Sequence, residues 1–147
     1  MQISENFTLK ELTVSDYAIR HSIEEQWRVS DAVIQNLKKL AINVLEPIRE
    51  IIKKPIIITS GYRCKRVNKG IGGALTSHHV EGKACDFKVI GLTVQEVFEI
   101  IMKSNINYDQ LIQEFDSWIH ISYNSSLNRH ENLIATKKSG KTQYKLV

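Results

Sequence analysis

The stretch Ser60–Asp86, SGYRCKRVNKGIGGALTSHHVEGKACD, constrains this chain more than any other part of it. It holds two adjacent histidines, an arginine, an aspartate and five of the chain's seven glycines. The β-branched run Pro55–Thr59 leads in and Ala84–Val89 leads out, and both read as strands. Far downstream, Trp118-Ile119-His120-Ile121-Ser122 alternates as a strand with one half-buried face. Residues 118, 120 and 122 then share one face, and the two isoleucines take the core.

Gly82 lies between His79 and Asp86 and can reverse the chain so that both side chains converge. With His120 they offer two imidazoles and a carboxylate, a donor set that suits zinc with a fourth position left open. Calcium or magnesium would call for more oxygen ligands. Cys85 is a conceivable ligand, but strand alternation turns it to the face opposite Asp86. Gly70, Gly72 and Gly73 lack the Lys-Ser/Thr ending of a phosphate-binding loop. They are expected to serve tight turns and close backbone approach near the site.

The longest element runs from Ser30, an N-cap with Asp31 in the first turn, through Val33, Leu37, Leu40, Val44, Ile48 and Ile51. These spacings of three and four predict a helix with one apolar stripe, kinked or split at Pro47. Before it, Thr13 or Ser15 can cap a brief helix, and the segment up to Arg28 reads as irregular. Ile56–Thr59 reads as a buried strand, followed by a loop from Gly61 to Gly82. Thr93 and Glu96 open a further helix with Val94, Val97, Phe98 and Ile101 inward. Tyr108–Glu114 and Trp118–Tyr123 form a hairpin, and Glu131–Lys137 with Thr142–Leu146 form another. The chain therefore reads as one domain over residues 1–147. Its expected class is α+β, a mainly antiparallel sheet with flanking helices.

Length and composition agree with a globular core. The net charge of +4 is spread along the chain without a basic block, which argues against a nucleic-acid partner. No apolar stretch is long enough to span a membrane, and MQISENFTLK lacks a signal-peptide layout. The expectation is synthesis in the cytoplasm, with any action elsewhere following release by other means. Two cysteines, Cys64 and Cys85, make no disulfide framework and are expected as free buried thiols.

Ser77–Asp86 matches the pattern S-x-H-x-x-G-x-A-x-D, with Ser60-Gly61-Tyr62-Arg63 upstream and Trp118-Ile119-His120 downstream. An early Phe-Thr-Leu-Lys-Glu-Leu segment and the long helix extend the likeness over most of the chain. This resembles the zinc D-Ala-D-Ala carboxypeptidase family of peptidoglycan peptidases, whose fold is shared with the Hedgehog signalling domain. The resemblance implies zinc held by His79, Asp86 and His120, with Arg63 and Ser77 binding carboxylate or carbonyl groups of the substrate. His78 falls at a variable position and is left at the rim. The resemblance further implies peptidoglycan stem peptides as substrate and, lacking a signal peptide, a phage-type endolysin acting on the cell wall; a monomer is expected. A module that keeps fold and metal but has lost turnover is the rival reading.

The general base is where the chain departs from the family it resembles. Some of its members carry an acidic residue three positions before the last histidine, and here that residue is Ser117. Glu114 and Asp116 are the candidates. A three-residue loop, Phe115-Asp116-Ser117, sets Glu114 opposite Trp118 and diagonal to His120, whereas a two-residue loop turns it away. The first register keeps Glu114 out of the apolar face and is preferred, leaving Asp116 to a solvated turn.

Overall fold

A computed structural model describes residues 1–147. Thr8 caps α1 (Leu9–Leu12) in a reciprocal capping box with Glu11, and Ser15 caps α2 (Asp16–Arg20). The segment read as irregular contains a 3-10 turn, Glu24–Trp27. Ser30 caps α3 (Asp31–Leu40), accepting the Val33 N–H. The helix then widens into a π turn, Ala41–Leu45, and continues as α4 (Glu46–Ile52).

Pro47 explains the wide turn. Without an N–H it cannot close an ordinary helical bond, and the Glu46 N–H reaches back to the Ala41 carbonyl instead. The chain is thus not split, and the altered phase corrects the expected stripe. Leu37, Leu40, Val44, Ile48 and Ile52 are buried, while Ile51 is 50% exposed. Steps of four overshoot a turn of about 3.6 residues, and the wider π turn absorbs the excess.

The sheet has six strands in the order β1-β2-β4-β3-β5-β6. They are β1 (Ile56–Ser60), β2 (Ala84–Val89), β3 (Gln110–Glu114), β4 (Trp118–Ser122), β5 (Glu131–Lys138) and β6 (Lys141–Leu146). Every neighbouring pair is antiparallel except β3 with β5. The class is α+β, as expected. Burial alternates along β1, with Ile56 inward and Ile57 on the exposed face beside Lys88, which corrects the reading of that run as a buried strand. The long connection after it is not all loop either. It holds α5 (Lys65–Gly70) and a 3-10 turn, His78–Glu81.

One face of the sheet carries Cys85, Phe87, Leu111, Ile119 and Ile121 into a core shared with the long helix and with α6 (Val94–Met102). Burying each large side chain there contributes roughly 1.5–3 kcal/mol. Cys64 and Cys85 are buried free thiols, and burial pushes the Cys85 thiol well up, keeping it neutral. The opposite face carries Asp86, His120, Ile112 and Glu114. No helix is long and apolar enough to cross a membrane.

Two main-chain approaches fix how the connection lies on the sheet. A Cβ on Gly61 would sit 2.2 Å from the Leu12 carbonyl oxygen, which accepts the Tyr62 N–H at 2.8 Å. Gly82 adopts φ +74°, and a Cβ there would meet Val33 Cγ1 at 2.9 Å and the Val33 carbonyl oxygen at 3.0 Å. Only glycine accommodates both demands.

Asp109 ties the start of β3 to the segment entering β5, accepting from Arg129 N, Nε and Nη2 at 3.0, 2.8 and 3.0 Å. The Arg129 hydrogen bonds outweigh burial and hold the carboxyl below its usual range. A depressed folded-state pKa contributes stability above the unfolded value of about 3.9 and loses it as pH falls through the folded value. Denaturant unfolding across acid pH should show this loss, flattened in Asp109→Asn. Because Arg129 is half exposed and screened by solvent, the variant should give up only about 1–2 kcal/mol at neutral pH.

Candidate metal centre

Register brings the expected ligands together. Asp86 of β2 pairs directly with His120 of β4, and His79 enters from the 3-10 turn above them. His79 Nε2 lies 3.3 Å from both Asp86 Oδ1 and His120 Nδ1, and His120 Nδ1 lies 2.9 Å from Asp86 Oδ1. His79 and Asp86 are buried and His120 is nearly so. Zinc–nitrogen and zinc–oxygen distances of about 2.0–2.2 Å in a tetrahedron set donors about 3.3–3.5 Å apart. Two of the three separations match, and the 2.9 Å between Asp86 and His120 is a hydrogen bond that an ion would open by a few tenths of an ångström; the mixed nitrogen and oxygen set suits zinc.

The surroundings prepare each ligand. The Gly61 carbonyl accepts from His79 Nδ1–H at 2.7 Å, and because a carbonyl only accepts, the lone pair is left on Nε2. Burial lowers the His79 pKa and favours the neutral ring. Burial alone would raise the Asp86 carboxyl, but the His79 and His120 rings hold it well below the ordinary carboxylate range. A neutral imidazole and an ionised carboxylate are the forms that ligate metals.

Arg63 donates through Nη2 to Asp86 Oδ2 at 3.4 Å, through Nε to Ser60 Oγ at 3.1 Å and through Nη1 to Asn68 Oδ1 at 3.2 Å. Three of its five N–H donors are thus engaged, and two remain for another group. Ser77 caps the 3-10 turn by accepting the His79 N–H at 3.2 Å, which leaves its hydroxyl proton uncommitted. Both residues line a cleft of about 510 Å³ together with His78, Gln110, Glu114, Trp118 and Tyr144. His78 stands at the rim as one of that lining.

The hairpin adopts the three-residue register, with Glu114 opposite Trp118 and Phe115 and Asp116 at φ +58° and +53°. Glu114 Oε1 comes within 3.8 Å of His120 Nδ1. Burial first, and the Asp86 charge second, raise its pKa against the pull of His120 and Arg63. The Trp118 indole N–H, shielded and short of full hydrogen-bonding geometry with any partner, draws it slightly down. Asp116 is held elsewhere: Gln113, on the core-side face, donates to its carboxylate at 2.6 Å and accepts its N–H at 2.9 Å.

Two supporting residues carried no recognisable signal in the sequence. Gln26, in the stretch read as irregular, is fully buried. Its Nε2 donates to the carbonyls of Thr13 and Tyr62 at 3.0 and 2.8 Å, and its Oε1 accepts the Cys64 N–H at 2.9 Å. It thereby clamps the main chain on both sides of Arg63. Asn68 holds Arg63 with one end of its amide and the Ala74 carbonyl with the other. A single buried amide in a polar run looks like any surface glutamine until its long-range partners are known.

Zinc titration should saturate at about one equivalent, and free zinc about 100-fold above Kd should stabilise the fold by about 2.7 kcal/mol. Asp86→Asn and His120→Ala should each abolish that shift in calorimetry. Gln26→Leu strands buried main-chain groups and should cost about 1–3 kcal/mol each in denaturant unfolding.

No curated protein matches the chain at a significant level. The family model for Peptidase M15 matches residues 5–122, from the N-terminal segment to the end of β4. That span holds the His79–Asp86–His120 cluster and the cleft residues Arg63, Ser77 and Glu114, and the peptidases of this family are metal-dependent. By that match over most of its length, the chain belongs to the peptidase M15 family of zinc D-Ala-D-Ala carboxypeptidase-like metallopeptidases.

Proposed function

We propose that this protein is a zinc peptidase that hydrolyses amide bonds in the D-amino-acid-containing stem peptides of bacterial peptidoglycan. The observation that carries the reading is the convergence of three ligand atoms within 2.9–3.3 Å beside a carboxylate of raised pKa. Bound zinc supplies a water of lowered pKa and polarisation of the scissile carbonyl.

The chain's own residues account for the remainder of the reaction. Glu114 accepts the proton of the attacking water on its carboxylate and hands it to the leaving amine. Burial raises its pKa toward the operating pH, where a group that must both take and give a proton works best. Arg63, with two N–H donors to spare, receives a substrate carboxylate or a developing oxyanion. Its grip on Asp86 Oδ2 holds that ligand in place at the same time. Ser77 donates its hydroxyl to a substrate carbonyl while its oxygen holds the His79 N–H. The substrate class rests on the family match and on a polar cleft that offers both a cation and a carboxylate to a peptide. In this reading the protein acts as a monomer on the wall, in the manner of an endolysin released from the cell that makes it.

Mass spectrometry of muropeptides after incubation with the zinc-loaded protein identifies the bond cut. Glu114→Gln should retain one equivalent of zinc yet lose about 10²–10⁴-fold in kcat. Full zinc occupancy with no new amino groups released by the unaltered protein would instead support a module without turnover. Unchanged cleavage by Glu114→Gln would remove that residue as the base.

A further inference from the structure

The family match ends at Ser122, upstream of the β5–β6 hairpin, yet the hairpin contributes a side chain to the cleft. A single cross-strand row explains how. Trp118 pairs with Glu114, Glu114 with Ala135, and Ala135 with Tyr144, so four residues on four strands lie abreast on one face. Ala135 is fully buried, and its methyl group is the smallest step a chiral residue can place between Glu114 and Tyr144. Tyr144 can therefore lean across it to the cleft wall, where the residue stays 59% exposed.

The hairpin is held for this task. Its register runs unbroken from Leu133↔Leu146 to Lys138↔Lys141, closed by Ser139 and Gly140 at φ +52° and +77°. Two consecutive positive φ values give the tight turn whose twist matches the strands. The Phe115 N–H also donates to the Ala135 carbonyl at 3.0 Å, which ties this row to the loop after Glu114. Burial and the nearby Glu114 charge push the Tyr144 phenol up, so it keeps its proton and remains a donor.

Chemistry gives this wall a direction. The carboxylate that returns a proton to the leaving amine must lie within hydrogen-bonding reach of it. The side chain next outward along the row then meets the part of the substrate that carries that amine. Resting on the peptidase reading above, we propose that Tyr144 contacts the leaving-group side of the scissile bond and helps determine which peptides are accepted there. Its ring covers apolar surface of that segment, and its hydroxyl donates to a carbonyl or terminal carboxylate.

The test uses full-length zinc-loaded protein, the muropeptide it cleaves in the mass-spectrometric assay, and the acyl-side fragment which that cleavage leaves. In steady-state kinetics, Tyr144→Phe should raise KM about three- to fivefold and Tyr144→Ala about tenfold, with kcat changed less than about threefold. In a Glu114→Gln background, calorimetry should show Tyr144→Ala weakening the intact muropeptide about tenfold and leaving the acyl-side fragment within about twofold. Zinc stoichiometry and thermal midpoint should match the parent, as befits an exposed ring on an edge strand.

Unchanged affinity for the intact peptide, or equal weakening of peptide and fragment, would overturn the assignment while leaving the peptidase reading intact. A fall confined to kcat would also overturn it, because Tyr144 would then act on Glu114 and not on substrate. Unaltered protein that cleaves no muropeptide sinks the peptidase reading itself, and the assignment with it.

Discussion

The pairing of Asp86 with His120 across β2 and β4 is the constraint on which the rest of the molecule depends. Directly opposed residues in an antiparallel sheet have their side chains about 4.5–5.5 Å apart at Cβ, close enough for two short polar groups to share one ion. A slip of one residue in either strand would send its ligand side chain into the core and bring an apolar neighbour out in its place. The apolar residues alternating with the ligands prevent that slip. Cys85 and Phe87 on one strand, and Ile119 and Ile121 on the other, are buried almost completely. The core thus sets the register, and the register sets the candidate metal centre.

His79 cannot be placed by the sheet, and a different kind of support brings it in. Its backbone sits on a 3-10 turn capped by Ser77 and ended by Gly82, while its ring is oriented by the Gly61 carbonyl. Gly61 in turn lies against the Leu12 carbonyl too closely for any side chain. The N-terminal segment, remote in sequence, therefore backs the third ligand. Gln26 performs the same service for Arg63 by holding the carbonyl before it and the N–H after it. Buried polar groups of this kind add little net stability when satisfied but are costly when orphaned, so they specify one loop geometry.

Charges at the cleft are balanced and not merely collected. Asp86 meets His120 Nδ1 on one oxygen and Arg63 on the other, which favours its ionised form, while burial keeps His79 toward its neutral form. Glu114 shares the same face, 3.8 Å from His120 Nδ1, and burial with the Asp86 charge shifts it the opposite way. Two carboxylates that both approach His120 Nδ1 are thereby driven in contrary directions. Opposed environments of this kind suit neighbouring carboxylates to different roles, and the proposed function rests on that difference. The π turn before Pro47 shows a comparable accommodation in the core: a missing donor is answered by a wider turn, which carries the apolar stripe onward to Ile52.

The sequence by itself determined the α+β class, the hairpin that carries Trp118 and His120, the alternation that turns His120 from the core, and the set of donors. Those features follow from local periodicity and from residue chemistry, which act over a few neighbours. The choice between Glu114 and Asp116 was half legible, since register could be argued, but only the Gln113 clasp shows where Asp116 is bound. The helix hidden between Cys64 and Ile71, the exposure of Ile51, the clamp by Gln26 and the reach of Tyr144 across Ala135 belonged to tertiary structure alone. Each depends on partners tens of residues away or on strand order across the sheet. A linear pattern carries no trace of such distances, because packing and long-range hydrogen bonds decide them only after the chain has closed on itself.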